Sequence, residues 1–235
     1  DSDRRSGPHY SLSEGILTEK DMKRLIAIVA VVCALSGLLM LKTSFGTLFA
    51  LEPLCLIILG AAAMGGAVKY TLGRNPYGYR GLGDISVFTF FGIVSVLGAY
   101  FVAAHTIPSL LMLLPAVAMG CFSVGVLNVN NMRDVKSDAG IRMTTPMRIG
   151  VKGAKIYHTA LIVTGWICLT IFNLCRFPDP WHWLFFITLP LFAFHLRGVW
   201  TRSDKDLDPM LPILVISTFI LSMLMGFGYL AFLIF

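Results

Sequence analysis

The sequence predicts an all-α protein built as a bundle of seven membrane-spanning helices, and three observations support this fold class. Hydrophobic residues make up 56% of the 235 positions and charged residues only 14%, and the mean hydropathy is +0.76. The apolar residues fall into continuous runs of about 17 to 25, the length that crosses about 30 Å of hydrocarbon as a helix. These runs lack the alternation of apolar and polar residues that a membrane β-barrel requires.

Each of the seven runs is predicted to be one helix. Thr18 and Asp21 have the spacing of a capping box, which predicts where the first helix begins. The second run contains AAAMGGA at 61–67, and such small residues let helices approach one another closely. Trp181 and Trp183 predict an interfacial anchor at the start of the sixth run. The predicted spans are 25–41, 53–72, 85–103, 107–128, 157–175, 181–197 and 210–235.

The positive charges predict how the spans are oriented. Of the 19 Lys and Arg residues, all except Lys42 and Arg176 lie in alternate segments, at 1–24, 69–80, 133–155 and 197–205. By the positive-inside rule these segments face the cytoplasm, so the N-terminus is inside and the C-terminus outside. The sequence thus predicts a multi-pass protein of the cell inner (plasma) membrane. The net charge of +6 reflects this topology and gives no reason to expect nucleic acid as a partner.

Cysteine and histidine show no ligand spacing. The five cysteines lie inside or at the ends of the runs without a CxxC or Cys/His pattern, so neither disulfides nor a zinc site is predicted. The five histidines are scattered over both sides, and we interpret them as interfacial and structural, with a substrate role left open for His158.

A polar stripe follows the fourth run. In NVNNMRDVKSD, Asn130, Asp134 and Asp138 recur every four residues and would share one face of a helix, with Asn131 beside them. Two carboxylates and an amide are hard oxygen ligands, which suit Mg²⁺ better than Zn²⁺. Magnesium commonly shares such ligands with a substrate phosphate, so a diphosphate is the implied ligand.

Six cations in the same loop are candidates to neutralise a diphosphate. They are Arg133, Lys136, Arg142, Arg148, Lys152 and Lys155. The alternative is that the two aspartates solvate a helix end and the cations set topology. That alternative is preferred for Lys136 and Arg148, whereas the placement of the whole motif at the membrane boundary favours a functional site.

The loop after the second run reads KYTLGRNPYGYRGLGD and is the predicted companion of the stripe. Arg80 is suited to phosphate, Asp84 to a second metal or a positioning role, and tyrosine faces such as that of Tyr70 to a developing cation. Glycine and proline alone would indicate only a turn-rich connection.

These residues resemble the UbiA superfamily of intramembrane aromatic prenyltransferases, whose two Asp-rich motifs of the NxxxDxxxD type hold Mg²⁺ and prenyl diphosphate. Asn130, Asp134 and Asp138 match the second motif. The segments YTLGRNPYGYRGLGDISVFTFFG and LNVNNMRDVKSD resemble loops of the 1,4-dihydroxy-2-naphthoate polyprenyltransferases, and SGP…EGILTEKDMKR resembles the segment after their first motif.

The resemblance implies a nine-span fold in which the first Asp motif ends the second span. We therefore expect residues 1–235 to form a single membrane-embedded prenyltransferase domain that lacks the first two helices. Asp1 is then the last aspartate of the first motif and a metal ligand, with Asp3 as the alternative.

The reaction implied by the resemblance transfers a polyprenyl group from its diphosphate to 1,4-dihydroxy-2-naphthoate, with loss of CO₂ and diphosphate, giving demethylmenaquinone. The implied partners are polyprenyl diphosphate, an aromatic acid and membrane lipid. Two alternatives stay open: a sister prenyltransferase with another aromatic acceptor, and a small transporter. Transporters usually place ionisable groups near the membrane midplane, whereas the carboxylates here gather at the predicted cytoplasmic ends.

Overall fold

Seven apolar helices long enough to cross a membrane make up most of the computed structural model, which describes residues 17–74, 76–176 and 179–234. No strand occurs in these ranges, so the predicted multi-pass helical bundle is confirmed. The helices are α1 (Glu19–Phe45), α2 (Leu51–Thr71), α3 (Gly83–Ala104), α4 (Leu110–Arg133), α5 (Thr145–Cys175), α6 (Pro180–Thr201) and α7 (Met210–Ile234).

Several helices extend beyond the predicted spans at the end that carries the cations. Helix α4, predicted to stop at 128, continues to Arg133, and α5, predicted to begin at 157, begins at Thr145. Hydropathy marks the part of a helix that lies in hydrocarbon, whereas the backbone hydrogen bonds continue into the polar region. The predicted capping box is confirmed, because Thr18 Oγ1 accepts from the Asp21 amide and Asp21 accepts from the Thr18 amide.

Helix α4 lies at the centre of the packing. Its apolar window is 44% buried, against 6% for each of α1, α2 and α3. The main buried cluster joins α4 to α5, α6 and α7, and it comprises Ala118, Phe122, Ile162, Trp166, Leu169, Phe185, Phe192, Leu214 and Leu221. Gly165 on α5 leaves the space that the Phe122 ring occupies.

Helix α3 reaches α4 through a local change of helix type. Its middle, Phe88–Val94, is a π-helix, and a Cβ atom added to Gly92 would lie 2.6 Å from Gly120 Cα. The backbones of α3 and α4 therefore approach directly, as small residues allow in membrane proteins. Short π-helical segments are frequent at functional sites.

Three loops meet at one end of the bundle. The amide of Met143, in the loop after α4, donates to the Tyr79 carbonyl in the loop after α2 at 2.9 Å. Lys136 Nζ lies 2.8 Å from Asp204 Oδ2 in the loop before α7. The first contact joins the two loops that the sequence predicts to carry the site, and the second adds the loop before α7.

Candidate active site

The polar stripe lies where α4 ends. Asp134 leaves the helical conformation, with φ −94° and ψ 7°, and a short helix follows over Val135–Asp138. Hydrogen bonds from the Asp134 amide to the Asn130 carbonyl (3.1 Å) and from the Asp138 amide to the Asp134 carbonyl (2.9 Å) continue the helical pattern across this break. The three predicted residues therefore remain one turn apart along the chain.

Arg133 binds three oxygen-bearing side chains at this point. Its Nε and Nη2 donate to the two carboxylate oxygens of Asp134, each at 2.8 Å. Nη2 also donates to Asn130 Oδ1, and Nη1 donates to Asp208 Oδ1, both at 2.8 Å. Arg133 and Asp134 are 6% and 2% exposed, so this bidentate pair is shielded from water.

A second arginine pairs with the other carboxylate of the stripe. Arg142 Nε lies 2.7 Å from Asp138 Oδ2, and Asp138 is buried. Arg142 also faces a narrow polar cleft, so it links the stripe to the loop after α2.

This cleft brings together residues from both predicted loops. Tyr70, Asp84, Asn131 and Arg142 line it, with Thr145 from the start of α5. Thr145 Oγ1 donates to Asp84 Oδ2 at 2.7 Å, and Tyr157 also interacts with the Asp84 carboxylate. The structure thus places the predicted companion loop beside Asn131 and Arg142.

An apolar cavity of about 590 Å³ lies between α2 and α3, on the other side of Tyr70. It is lined by Ala63, Ala67, Tyr70, Tyr77, Ser86, Val87, Phe90, Phe91, Val94 and Ser95. Tyr77 donates to the Gly66 carbonyl at 2.8 Å, which fixes its ring in the wall. Its volume falls within the range of about 300 to 1,000 Å³ common for small-molecule sites. Tyr70 is a wall shared by the polar cleft and the apolar cavity.

Other predicted site residues that the structure describes do not line the polar cleft or the apolar cavity. Arg80 and Lys152 are exposed, and the Arg80 carbonyl accepts from Arg148 at 2.8 Å. Lys155 donates to the carbonyls of Trp200 and Arg202, at 3.1 and 2.7 Å, and so satisfies the end of α6. Asp1, predicted as a metal ligand, lies outside the described residues.

Sequence reasoning missed three members of the site: Asp208, Thr145 and Tyr157. Asp208 belongs to DKDLDP at 204–209, where three aspartates precede the last span on the predicted cytoplasmic side. That signal could have been found. The sequence gives no comparable signal for Thr145 and Tyr157, because their contacts with Asp84 depend on how α5 packs.

The donor set fits a hard divalent cation. Asn130, Asp134 and Asp138 offer only oxygen ligands, and two carboxylates completed by a substrate phosphate are a usual magnesium set. Asp138 Oδ2 is buried and has no aligned hydrogen bond, although Arg142 lies close to it. Within the described ranges, no group of three or more His, Cys, Asp or Glu side chains converges to form a complete site without substrate.

An acidic stripe paired with arginines at one end of a bundle of apolar helices, linked through Tyr70 to an apolar cavity, points to the class of intramembrane proteins that bind an anionic substrate with an apolar tail. Comparison with known proteins agrees with this class. The UbiA prenyltransferase family matches residues 1–218, and the chain belongs to this family. Members of the family generally depend on a divalent metal.

Named relatives are found among bacteria and eukaryotes. The chain is 40% identical to 1,4-dihydroxy-2-naphthoate octaprenyltransferase of Escherichia coli, over 88% of this chain and 67% of that protein. It is 32% identical to the protein of the same name from Haemophilus influenzae, over 98% and 74%. UbiA prenyltransferase domain-containing protein 1 of Dictyostelium discoideum is 30% identical over 65% and 46%. No solved structure matches the chain at a significant level.

Proposed function

We propose that this protein transfers a polyprenyl group from polyprenyl diphosphate to 1,4-dihydroxy-2-naphthoate, with loss of CO₂ and diphosphate. The observation that carries the proposal is the link from the stripe to the apolar cavity: Arg142 pairs with Asp138 and lines the polar cleft with Tyr70, and Tyr70 also lines the cavity. The names of the Escherichia coli and Haemophilus influenzae relatives support the aromatic acceptor.

The charged residues of the site bind the diphosphate and its metal ion. Arg142 and Arg133 attract the anionic head group and hold it at the membrane boundary. Asn130, Asp134 and Asp138 would hold Mg²⁺, with Asp84 as the candidate for a second ion. When bound, the metal would neutralise charge on the departing diphosphate.

The apolar cavity serves the prenyl chain. Its aliphatic and aromatic walls bind the chain and exclude water from the allylic carbon. The bond between that carbon and the diphosphate oxygen breaks, and its electron pair leaves with the diphosphate. The rings of Tyr70 and Tyr77 stabilise the resulting positive charge through their faces.

The acceptor then completes the transfer. The ring carbon that carries the carboxylate attacks the allylic carbon, and the carboxylate leaves as CO₂, which restores the aromatic ring. The product is demethylmenaquinone in its reduced form. We place the protein in the cell inner membrane with this site on the cytoplasmic side, on the basis of its Lys and Arg distribution.

The test is a prenyl-transfer assay on the purified protein with radiolabelled polyprenyl diphosphate and Mg²⁺. Three acceptors compete: 1,4-dihydroxy-2-naphthoate, 4-hydroxybenzoate and homogentisate. We expect the label in the naphthalene product, and none after chelation of the metal. Preferential labelling of another acceptor would favour the sister-enzyme alternative, and labelling without any divalent metal would contradict the proposed site.

A further inference from the structure

Asp208 is a member of the site that the proposed reaction does not use. It lies between the short helix Asp204–Leu207 and α7, next to two fully buried residues, Leu207 and Met210. These neighbours pack with Val129 and Met132 of α4, which fixes the position of Asp208 relative to the stripe.

The contacts of Arg133 conflict with metal binding at Asp134. Its Nε and Nη2 take one position on each carboxylate oxygen and place a positive charge next to them. A divalent cation on the same carboxylate would be repelled by that charge, strongly so in a buried site. Arg133 must therefore shift for the cation to bind.

Asp208 is placed to receive Arg133. Its Oδ1 already accepts from Nη1, on the edge of the guanidinium that faces away from Asp134. The Asp208 side chain is 43% exposed and the Arg133 side chain 7%, so the shift leads toward solvent.

We infer that Asp208 is a positioning residue of the metal site, which accepts the Arg133 guanidinium when a divalent cation takes its place on Asp134. This inference rests on the proposed function, because it takes Asp134 as a metal ligand. Without Asp208, Arg133 would remain on Asp134 and compete with the cation.

The experiment measures Mn²⁺ affinity by electron paramagnetic resonance on purified protein with saturating inorganic diphosphate, independently of turnover. Asp208→Asn keeps the shape of the side chain and removes its charge. We expect Mn²⁺ to bind about tenfold more weakly, the size of effect common for residues that orient metal ligands. Asp204→Asn is the matched control, because Asp204 lies in the same loop and pairs with exposed Lys136. Its expected effect is within about twofold.

The double variant Arg133→Gln/Asp208→Asn tests whether Asp208 affects the Mn²⁺ affinity through Arg133 or independently of it. In an Arg133→Gln background, Asp208→Asn should cause no further loss of affinity, because its partner is gone. The inference would be overturned if Asp208→Asn alone left the Mn²⁺ affinity unchanged. It would also be overturned if Asp208→Asn caused the same loss in the Arg133→Gln background as in the wild type, or if Asp204→Asn caused the same loss as Asp208→Asn. Asp208→Ser provides the same comparison if Asp208→Asn fails to fold. A wild-type protein that binds no Mn²⁺ would overturn the proposed metal site together with this inference.

Discussion

Each of the two buried carboxylates at the end of α4 has an arginine of its own. Asp134 pairs with Arg133 and Asp138 with Arg142, at 2.8 and 2.7 Å. A buried carboxylate without a partner is costly, and each of these pairs supplies its aspartate with an opposite charge. The same carboxylate oxygens are the predicted ligands for Mg²⁺, and their role in metal binding stays a prediction.

The first prediction concerns two variants, each of which removes one carboxylate charge from the stripe. Asp134→Asn or Asp138→Asn should lower turnover about 10²–10³-fold, because charge on the departing diphosphate is then poorly compensated. Prenyl transfer at limiting Mg²⁺ measures the loss, and a melting curve checks that the variants fold. Asp204→Asn is the control, since it removes an equivalent charge from the exposed pair with Lys136. Near-normal turnover in either test variant would exclude the stripe as the metal site.

At the scale of elements, buried polar contacts and glycines fix how α3 to α7 pack. His158 on α5 and His195 on α6 are fully buried, and their Nε2 atoms lie 2.8 Å apart. One ring must donate and the other accept, so at least the accepting ring is neutral. On α4, Asn128 donates to the Ala154 carbonyl of α5 at 2.9 Å. For His158 and His195, two of the five histidines, this placement agrees with the structural role predicted from the sequence.

The second prediction concerns the histidine pair. His158→Leu removes the interhelical hydrogen bond and leaves His195 unpaired, which should lower stability by about 1–2 kcal/mol. Thermal unfolding in detergent measures the change. The double variant His158→Leu/His195→Leu should lose less than the sum of the two single changes, because no unpaired ring remains. Strictly additive losses would show that the two rings are not coupled.

The third prediction concerns the direct approach of α3 and α4. Gly92→Ala would place a methyl group against the Gly120 backbone and should destabilise the protein by about 1–3 kcal/mol. Gly98→Ala, on the same helix, meets nothing within 4 Å and should be close to neutral. The comparison uses melting temperatures in one detergent. Equal stability of the two variants would contradict the close packing at Gly92.

At the scale of the whole molecule, the sequence predicted what depends on local pattern. Hydropathy located the seven spans, and four-residue spacing located Asn130, Asp134 and Asp138. The pairing of Arg133 with Asp208 escaped prediction because it joins positions 75 residues apart, and it depends on where α7 begins relative to α4. The cleft was predicted only as two loops of matching chemistry, since Thr145 and Tyr157 reach Asp84 through the packing of α5.

The fourth prediction concerns orientation. A reporter enzyme that is active only outside the cytoplasm should be active when fused after Phe235, because nearly all cations lie in alternate segments on the other side. The control is the same reporter inserted after Gly140, an exposed position in the loop that follows the stripe, where it should be inactive. Reporter activity after Gly140 together with no activity after Phe235 would contradict the predicted orientation.

The apolar cavity also determines how the proposed substrate is supplied. Phe91, at its edge, is 63% exposed on the apolar helix α3, so we expect the cavity to open sideways to the bilayer. A polyprenyl substrate then arrives by two-dimensional diffusion, and its effective concentration is its mole fraction in the lipid. We expect reaction rates in vesicles to fall when lipid is added at a constant total amount of enzyme and substrate. The rate of the proposed reaction would thus depend on the mole fraction of the substrate in the membrane and not on its amount per volume of the cell.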